Sequence, residues 1–133
     1  MASDKKRVLA VDDDASVCEY YDQALRLSGY DVECAPSAAR ARDAIAKRRP
    51  DIILMDIMMP DQDGISFTRE LRADTKTSDI PIIVISGLAD AGTLNDALLF
   101  GAVDYMVKPI DIDVLTGKIE RTFAALERRK KTP

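Results

Sequence analysis

Residues 8–14 read VLAVDDD: four apolar residues, Val8, Leu9, Ala10 and Val11, stop abruptly at Asp12, Asp13 and Asp14. A continuous apolar run of that length suits a short strand covered on both faces, as in a parallel sheet sandwiched between helices. The same grammar returns in IILMD, where Ile52 to Met55 end at Asp56, and in IPIIVIS, where Ile80 to Ile85 end at Ser86. Val32 to Ala35 supplies a further strand, and Val103 to Val107 supplies the last, followed directly by Lys108 and Pro109.

Helical spacing fills the intervals. Val17, Tyr20, Tyr21, Ala24 and Leu25 recur on one face, with Asp14 or Ser16 as the N-cap and Gly29 as the stop. An alanine-rich helix is predicted from about Ser37 to Arg48, ending before Pro50. After a loop containing Pro60 and Gly64, a short helix runs through Phe67 and Leu71. A weaker helix covers Thr93 to Phe100 and stops at Gly101, and a final one runs from Asp111 to about Lys130 with Leu115, Ile119, Phe123 and Leu126 inside. Strand and helix alternating throughout predict an α/β fold, a doubly wound parallel sheet of five strands with right-handed crossovers.

Length and composition agree. The chain of 133 residues suffices for one sizeable core, so a single domain over 1–133 is expected, with a basic tail at about 128–133. With 47% apolar and 32% charged residues it reads as a soluble folded protein; no apolar run approaches a bilayer span and no secretory signal is present, so a cytoplasmic location without membrane contact is expected. Cys18 and Cys34, lacking a secretion signal and any close-spaced metal pattern, are read as two buried thiols rather than a disulfide. A net charge of -4 argues against direct nucleic-acid binding, and Arg128 to Lys131 reads as a solvated helix end. There is no histidine, which excludes a Ser/His/Asp triad, a His-ligated zinc and a phosphohistidine carried on this chain.

In a doubly wound sheet, function lies beyond the C-terminal strand ends. The residues there are Asp12 and Asp13, Asp56, Ser86, and Lys108 with Pro109. Each alone is ordinarily a cap, a turn residue or a surface lysine. Strand pairing in such a sheet would gather them at one crevice, where three carboxylates repel by roughly 1 to 4 kcal/mol per pair at about 4 Å. Hard oxygen ligands without His or Cys suit Mg²⁺ or Mn²⁺, with Lys108 adding positive charge.

The acids of VDDD, the MDIMMPDQDG segment, the IS at 85 and 86 and the KP at 108 and 109, in that order over nearly the whole chain, resemble the receiver domains of two-component response regulators. The resemblance implies the flavodoxin-like (βα)5 sheet order 2-1-3-4-5. It implies that Asp56 is the phosphoacceptor, that Asp13 binds the metal directly and Asp12 through water, and that Met58 contributes only its backbone carbonyl. Lys108 and Ser86 would contact the phosphoryl group, with Ser86 and Tyr105 acting as the switch. The domain would promote its own phosphorylation and dephosphorylation without being an enzyme in the usual sense. Its donor would be a sensor histidine kinase or histidine phosphotransfer protein, or a small acyl phosphate, and its reader a downstream protein or output domain. Helix 4, strand 5 and helix 5 would offer a surface for transient homodimerisation. Gly87 would leave room for the phosphoryl group, Gly92 would weaken the start of helix 4, and the apolar pair Met58 and Leu88 would slow hydrolysis.

Three rival readings are weaker. A phosphatase of the haloacid dehalogenase type needs a second Asp where Met58 stands. A flavodoxin-like cofactor site needs a phosphate-welcoming first loop, whereas three aspartates repel one. A pseudo-receiver serving only as a binding module would not need every chemical position filled.

Overall fold

The computed structural model describes residues 5–87 and 90–131. Strand and helix alternate as β1 Arg7–Val11, α1 Ala15–Leu27, β2 Asp31–Ala35, α2 Ala38–Lys47, β3 Ile52–Met55, α3 Gly64–Ala73, β4 Ile82–Ser86, α4 Ala91–Leu99, β5 Asp104–Val107 and α5 Ile112–Lys131. All four strand pairings are parallel and the order is β2-β1-β3-β4-β5, the flavodoxin-like arrangement. β1 and β3 register Val11 against Met55, which sets Asp12 and Asp56 side by side one residue further on.

Successive side chains on a strand point to opposite faces, so each apolar run serves two cores. Leu9, Val11, Ile53, Met55, Ile82 and Val84 pack with α2, α3 and α4 through Ala41, Phe67 and Ala97. Val8, Ala10, Ile52, Leu54, Ile83 and Ile85 pack with α1 and α5 through Tyr21, Leu25, Leu115 and Ile119. Burial on both sides explains why β1, β3 and β4 lack any polar alternation.

Each of the first four helices begins at a residue whose side chain accepts from the free N–H groups of the first turn: Asp14, Ser37, Asp63 and Asp90. Asp14 rather than Ser16 therefore caps α1. Asp90 starts α4 at Ala91, two residues earlier than the apolar spacing alone suggests. β4 starts at Ile82 rather than Ile80, because Pro81 has no N–H to give the ladder; its carbonyl still accepts from Ile53, and Ile80 is buried just outside the strand. Gly29, at φ 94, takes the left-handed turn that ends α1, as expected.

One expectation is overturned. Cys18 and Cys34 are not free thiols: they form a disulfide between α1 and β2, with Cα atoms 5.9 Å apart. The turn at Gly29 and Tyr30 returns the chain antiparallel to α1, and Cys34, registered against Ala10, faces the core that α1 covers. Sixteen residues of separation conceal that proximity in the sequence.

Candidate functional site at the strand ends

The ends of β1, β3 and β5 converge on one pocket. Asp12 is buried; its backbone N–H donates to the Ala35 carbonyl, tying the end of β1 to β2. One carboxylate oxygen accepts from the Asp14 N–H at 2.9 Å and the other from Lys108 Nζ at 2.8 Å. Because Asp14 performs the capping of α1, Asp12 and Asp13 are spared that role. Asp56 is also buried, held by its N–H to the Val11 carbonyl, and Lys108 Nζ lies 3.6 Å from its carboxylate. One carboxylate oxygen from each of Asp12, Asp13 and Asp56 falls within 4.8 Å of the others, with Asp13 alone exposed.

Two carboxylates in low dielectric disfavour each other's charge. The Asp56 pKa is raised, first by burial and then by the Asp12 charge, against the opposing pull of Lys108 and of the Met58 and Ile57 backbone N–H groups. For Lys108, burial works to lower the pKa, but the hydrogen bond and charge of Asp12 and the charge of Asp56 outweigh it, and the net shift is upward. The field extends to Tyr21 beneath the pocket, whose hydroxyl is held well above its ordinary value by burial and then by Asp12 and Asp56.

Ser86 is buried at the end of β4, registered against Val107, and its carbonyl accepts from the Lys108 N–H at 2.9 Å. The Lys108–Pro109 peptide bond is cis. Tyr105 is half-buried on β5, opposite Val84, against the core shared with α4. Met58 is 64% exposed at the rim of the pocket, and a side chain at Gly87 would meet nothing within 4 Å. Leu88 lies outside the described residues.

Two positioning residues escaped the sequence reading. Gly64, taken there as a loop glycine, opens α3 with its N–H on the Ile57 carbonyl. A Cβ on it would overlap the Asp56 carbonyl oxygen and lie 2.8 Å from the carbonyl carbon, so only glycine lets α3 press on the backbone of the acid. Asp61 reaches across to the Ala38 and Ala39 N–H groups at the start of α2, pinning the loop after Asp56; those two donors hold its carboxyl below the usual range. Both lie in the MDIMMPDQDG segment, but their partners are identifiable only once the chain is folded.

The family model for the response regulator receiver domain matches residues 8–120. The chain belongs to this family. The receiver is 40% identical over 115 residues to the transcriptional regulatory protein KdpE of Staphylococcus aureus, covering 86% of this chain and 48% of that protein. It is 36% identical over 126 residues to the regulatory protein AtoC of Escherichia coli, covering 94% of this chain and 27% of that one. Among solved structures, a CheY-like receiver domain protein from Methanospirillum hungatei superposes with a TM-score of 0.87 at 28% identity, covering 94% of this chain and 98% of that chain. The receiver thus spans about a quarter to a half of the length of these curated relatives. Receiver domains are signalling switches rather than enzymes in the usual sense, and the pocket of Asp12, Asp13 and Asp56 is compatible with a divalent metal. No helix among the described residues is long and apolar enough to cross a membrane.

Proposed function

We propose that this receiver accepts a phosphoryl group on Asp56 in the presence of Mg²⁺ and that the modified form changes which protein it binds. The observation that carries this reading is the convergence of three carboxylates and one lysine on a single pocket at the carboxyl edge of a parallel sheet. Three acids without His or Cys are a donor set for a hard cation. Asp12, Asp13 and Asp56, with the Met58 backbone carbonyl, would hold Mg²⁺ or Mn²⁺. When bound, the cation would supply charge neutralisation toward an anionic donor.

The residues of the chain do the rest. An Asp56 carboxylate oxygen attacks phosphorus, the phosphorus–nitrogen bond of a partner's phosphohistidine breaks, and the imidazole leaves with the bonding pair. Lys108, already within hydrogen-bonding range of Asp12 and ion-pairing range of Asp56, turns to the new phosphoryl oxygens. Ser86 donates its hydroxyl to the same group, and Tyr105 moves with it, so that phosphorylation favours one of two arrangements by binding it better. Met58 and Leu88, both apolar, would slow entry of the hydrolytic water.

The donor is a sensor histidine kinase or a histidine phosphotransfer protein; the reader is a protein target or an output domain, and the location is the cytoplasm. α4 carries exposed Leu98 and Leu99, Val103 is exposed just before β5 and Val114 on α5, and this face serves a transient homodimer. With a net charge of -4, the domain itself makes no direct contact with nucleic acid.

Incubation with Mg²⁺ and a small acyl phosphate is expected to add one phosphoryl mass to the wild type and none to Asp56→Asn or to samples in chelator. Modification surviving in Asp56→Asn would move the acceptor elsewhere. No modification of the wild type would favour the pseudo-receiver, a module that binds partners without this chemistry.

A further inference from the structure

We propose that Cys18 and Cys34 form a reversible thiol–disulfide site, exchanging with low-molecular-weight disulfides, whose closed form steadies the loop carrying Asp12 and Asp13. The two Cα atoms are 5.9 Å apart, within the span a disulfide bridges without moving the backbone. Cys18 stands on the second turn of α1 and its Sγ lies 3.3 Å from the Asp12 carbonyl oxygen, while its backbone N–H donates to the Asp14 carbonyl. Cys34 stands on β2 one residue before Ala35, whose carbonyl accepts the Asp12 N–H. The bridge therefore closes a ring around the β1–α1 loop: β2 holds the loop at one end, α1 at the other, and the sulfurs join the two. Opened, α1 remains tied to β2 by packing and, at its far end, by Arg26 on the Val32 carbonyl and the Asp31 carboxylate, and near the loop a Cys18 S–H on the Asp12 carbonyl is a weak substitute for a covalent tie.

Access favours Cys34 as the entry point. It is half-buried and lines a recess of about 170 Å³ with Glu33, Arg40, Asp43 and Lys47, two acids and two cations that suit a small disulfide carrying both ammonium and carboxylate groups. Cys18 does not line that recess. In the closing reaction the Cys34 thiolate attacks one sulfur of the external disulfide and expels one thiol. The Cys18 thiolate then attacks the Cys34 sulfur and expels the second. Two protein thiols lose two electrons and two protons, and the external disulfide becomes two thiols; a dithiol reverses both steps.

That the steadied loop serves metal binding rests on the function proposed above, whereas the exchange itself does not. The test uses the whole chain, oxidised and reduced, with the Cys18→Ser/Cys34→Ser double variant as a permanently open form. Glutathione disulfide is expected to remove both alkylatable thiols and dithiothreitol to restore them, as counted by mass after alkylation in denaturant. The closed form should melt about 5–15 °C above the open one. Calorimetric titration with Mg²⁺ should give an affinity at least about threefold tighter for the closed form, from preorganisation of the loop. Two thiols persisting in glutathione disulfide, or equal Mg²⁺ affinity in the closed, reduced and double-serine forms, would overturn the proposal. A closed form that binds Mg²⁺ more tightly yet takes no phosphoryl group would leave the redox site standing and refute the acceptor role of Asp56. Equal binding with normal phosphorylation would do the reverse.

Discussion

Replacing Asp56 by Asn should stabilise the metal-free protein while abolishing its chemistry. Two carboxylate oxygens at 4.8 Å, the widest separation within the cluster of three acids, repel by about 0.9 kcal/mol in water-like surroundings and about 3.5 kcal/mol at an effective dielectric near 20. Asp56 has two such neighbours, Asp12 and Asp13, and one counter-charge, Lys108 at 3.6 Å, worth about 1.2 to 4.6 kcal/mol over the same range. The repulsions exceed the attraction by about 0.5 to 2.5 kcal/mol, and exposure of Asp13 moves the balance toward the lower part of that interval. Lys108 keeps its bond to Asp12 in the variant, and Asn retains an oxygen for the Met58 and Ile57 N–H groups. The expected gain is about 1 kcal/mol, or roughly 4 °C in melting temperature, measured by urea and thermal unfolding in chelator near neutral pH.

The pH dependence carries a definite sign. The folded-state pKa of Asp56 lies above its unfolded value, so in the metal-free wild type this group's contribution to stability is fully present below the unfolded pKa and is lost as pH rises through the folded one. The advantage of Asp56→Asn should accordingly vanish on acidification into the ordinary carboxylate range and grow toward neutrality. Saturating Mg²⁺ should reverse the order, since only the wild type keeps all three acids. A variant that is less stable than the wild type in chelator at neutral pH would refute the premise that these carboxylates repel in the folded state.

Lys108→Met leaves Asp12 buried without its cation and should destabilise the metal-free protein by about 1–3 kcal/mol in urea unfolding, with Lys108→Arg losing less. Gly64→Ala forces a Cβ onto the Asp56 carbonyl; a loss of about 2–4 kcal/mol is expected, with phosphoryl acceptance impaired in whatever fraction stays folded, and a neutral result would mean that α3 shifts freely. Asp14→Ala removes the cap from α1 and should cost about 1 kcal/mol by thermal unfolding, with Asp14→Asn nearly silent. Mg²⁺ affinity should fall as pH is lowered through the raised pKa of Asp56, readable by calorimetric titration from pH 7 downward.

The sequence by itself determined the frame. Unbroken apolar runs such as VLAV and IILM can be buried only between two helical layers, and the residues that end them must then share one edge of the sheet. Asp12, Asp13, Asp56, Ser86 and Lys108 stand at those ends, because strand ends in a parallel sheet are set by where apolar periodicity stops, a local property. Tertiary structure alone decided whatever depends on two distant segments meeting. It assigned the capping of α1 to Asp14 and so spared Asp12, and it gave Lys108 its closest contact with Asp12, 96 residues away, rather than with Asp56. It turned Gly64 from a loop glycine into the point where α3 rests on Asp56. It also joined Cys18 to Cys34, which their spacing along the chain had kept apart. Distances of this kind follow from the crossing of helices over strands, and no periodicity along the chain encodes them.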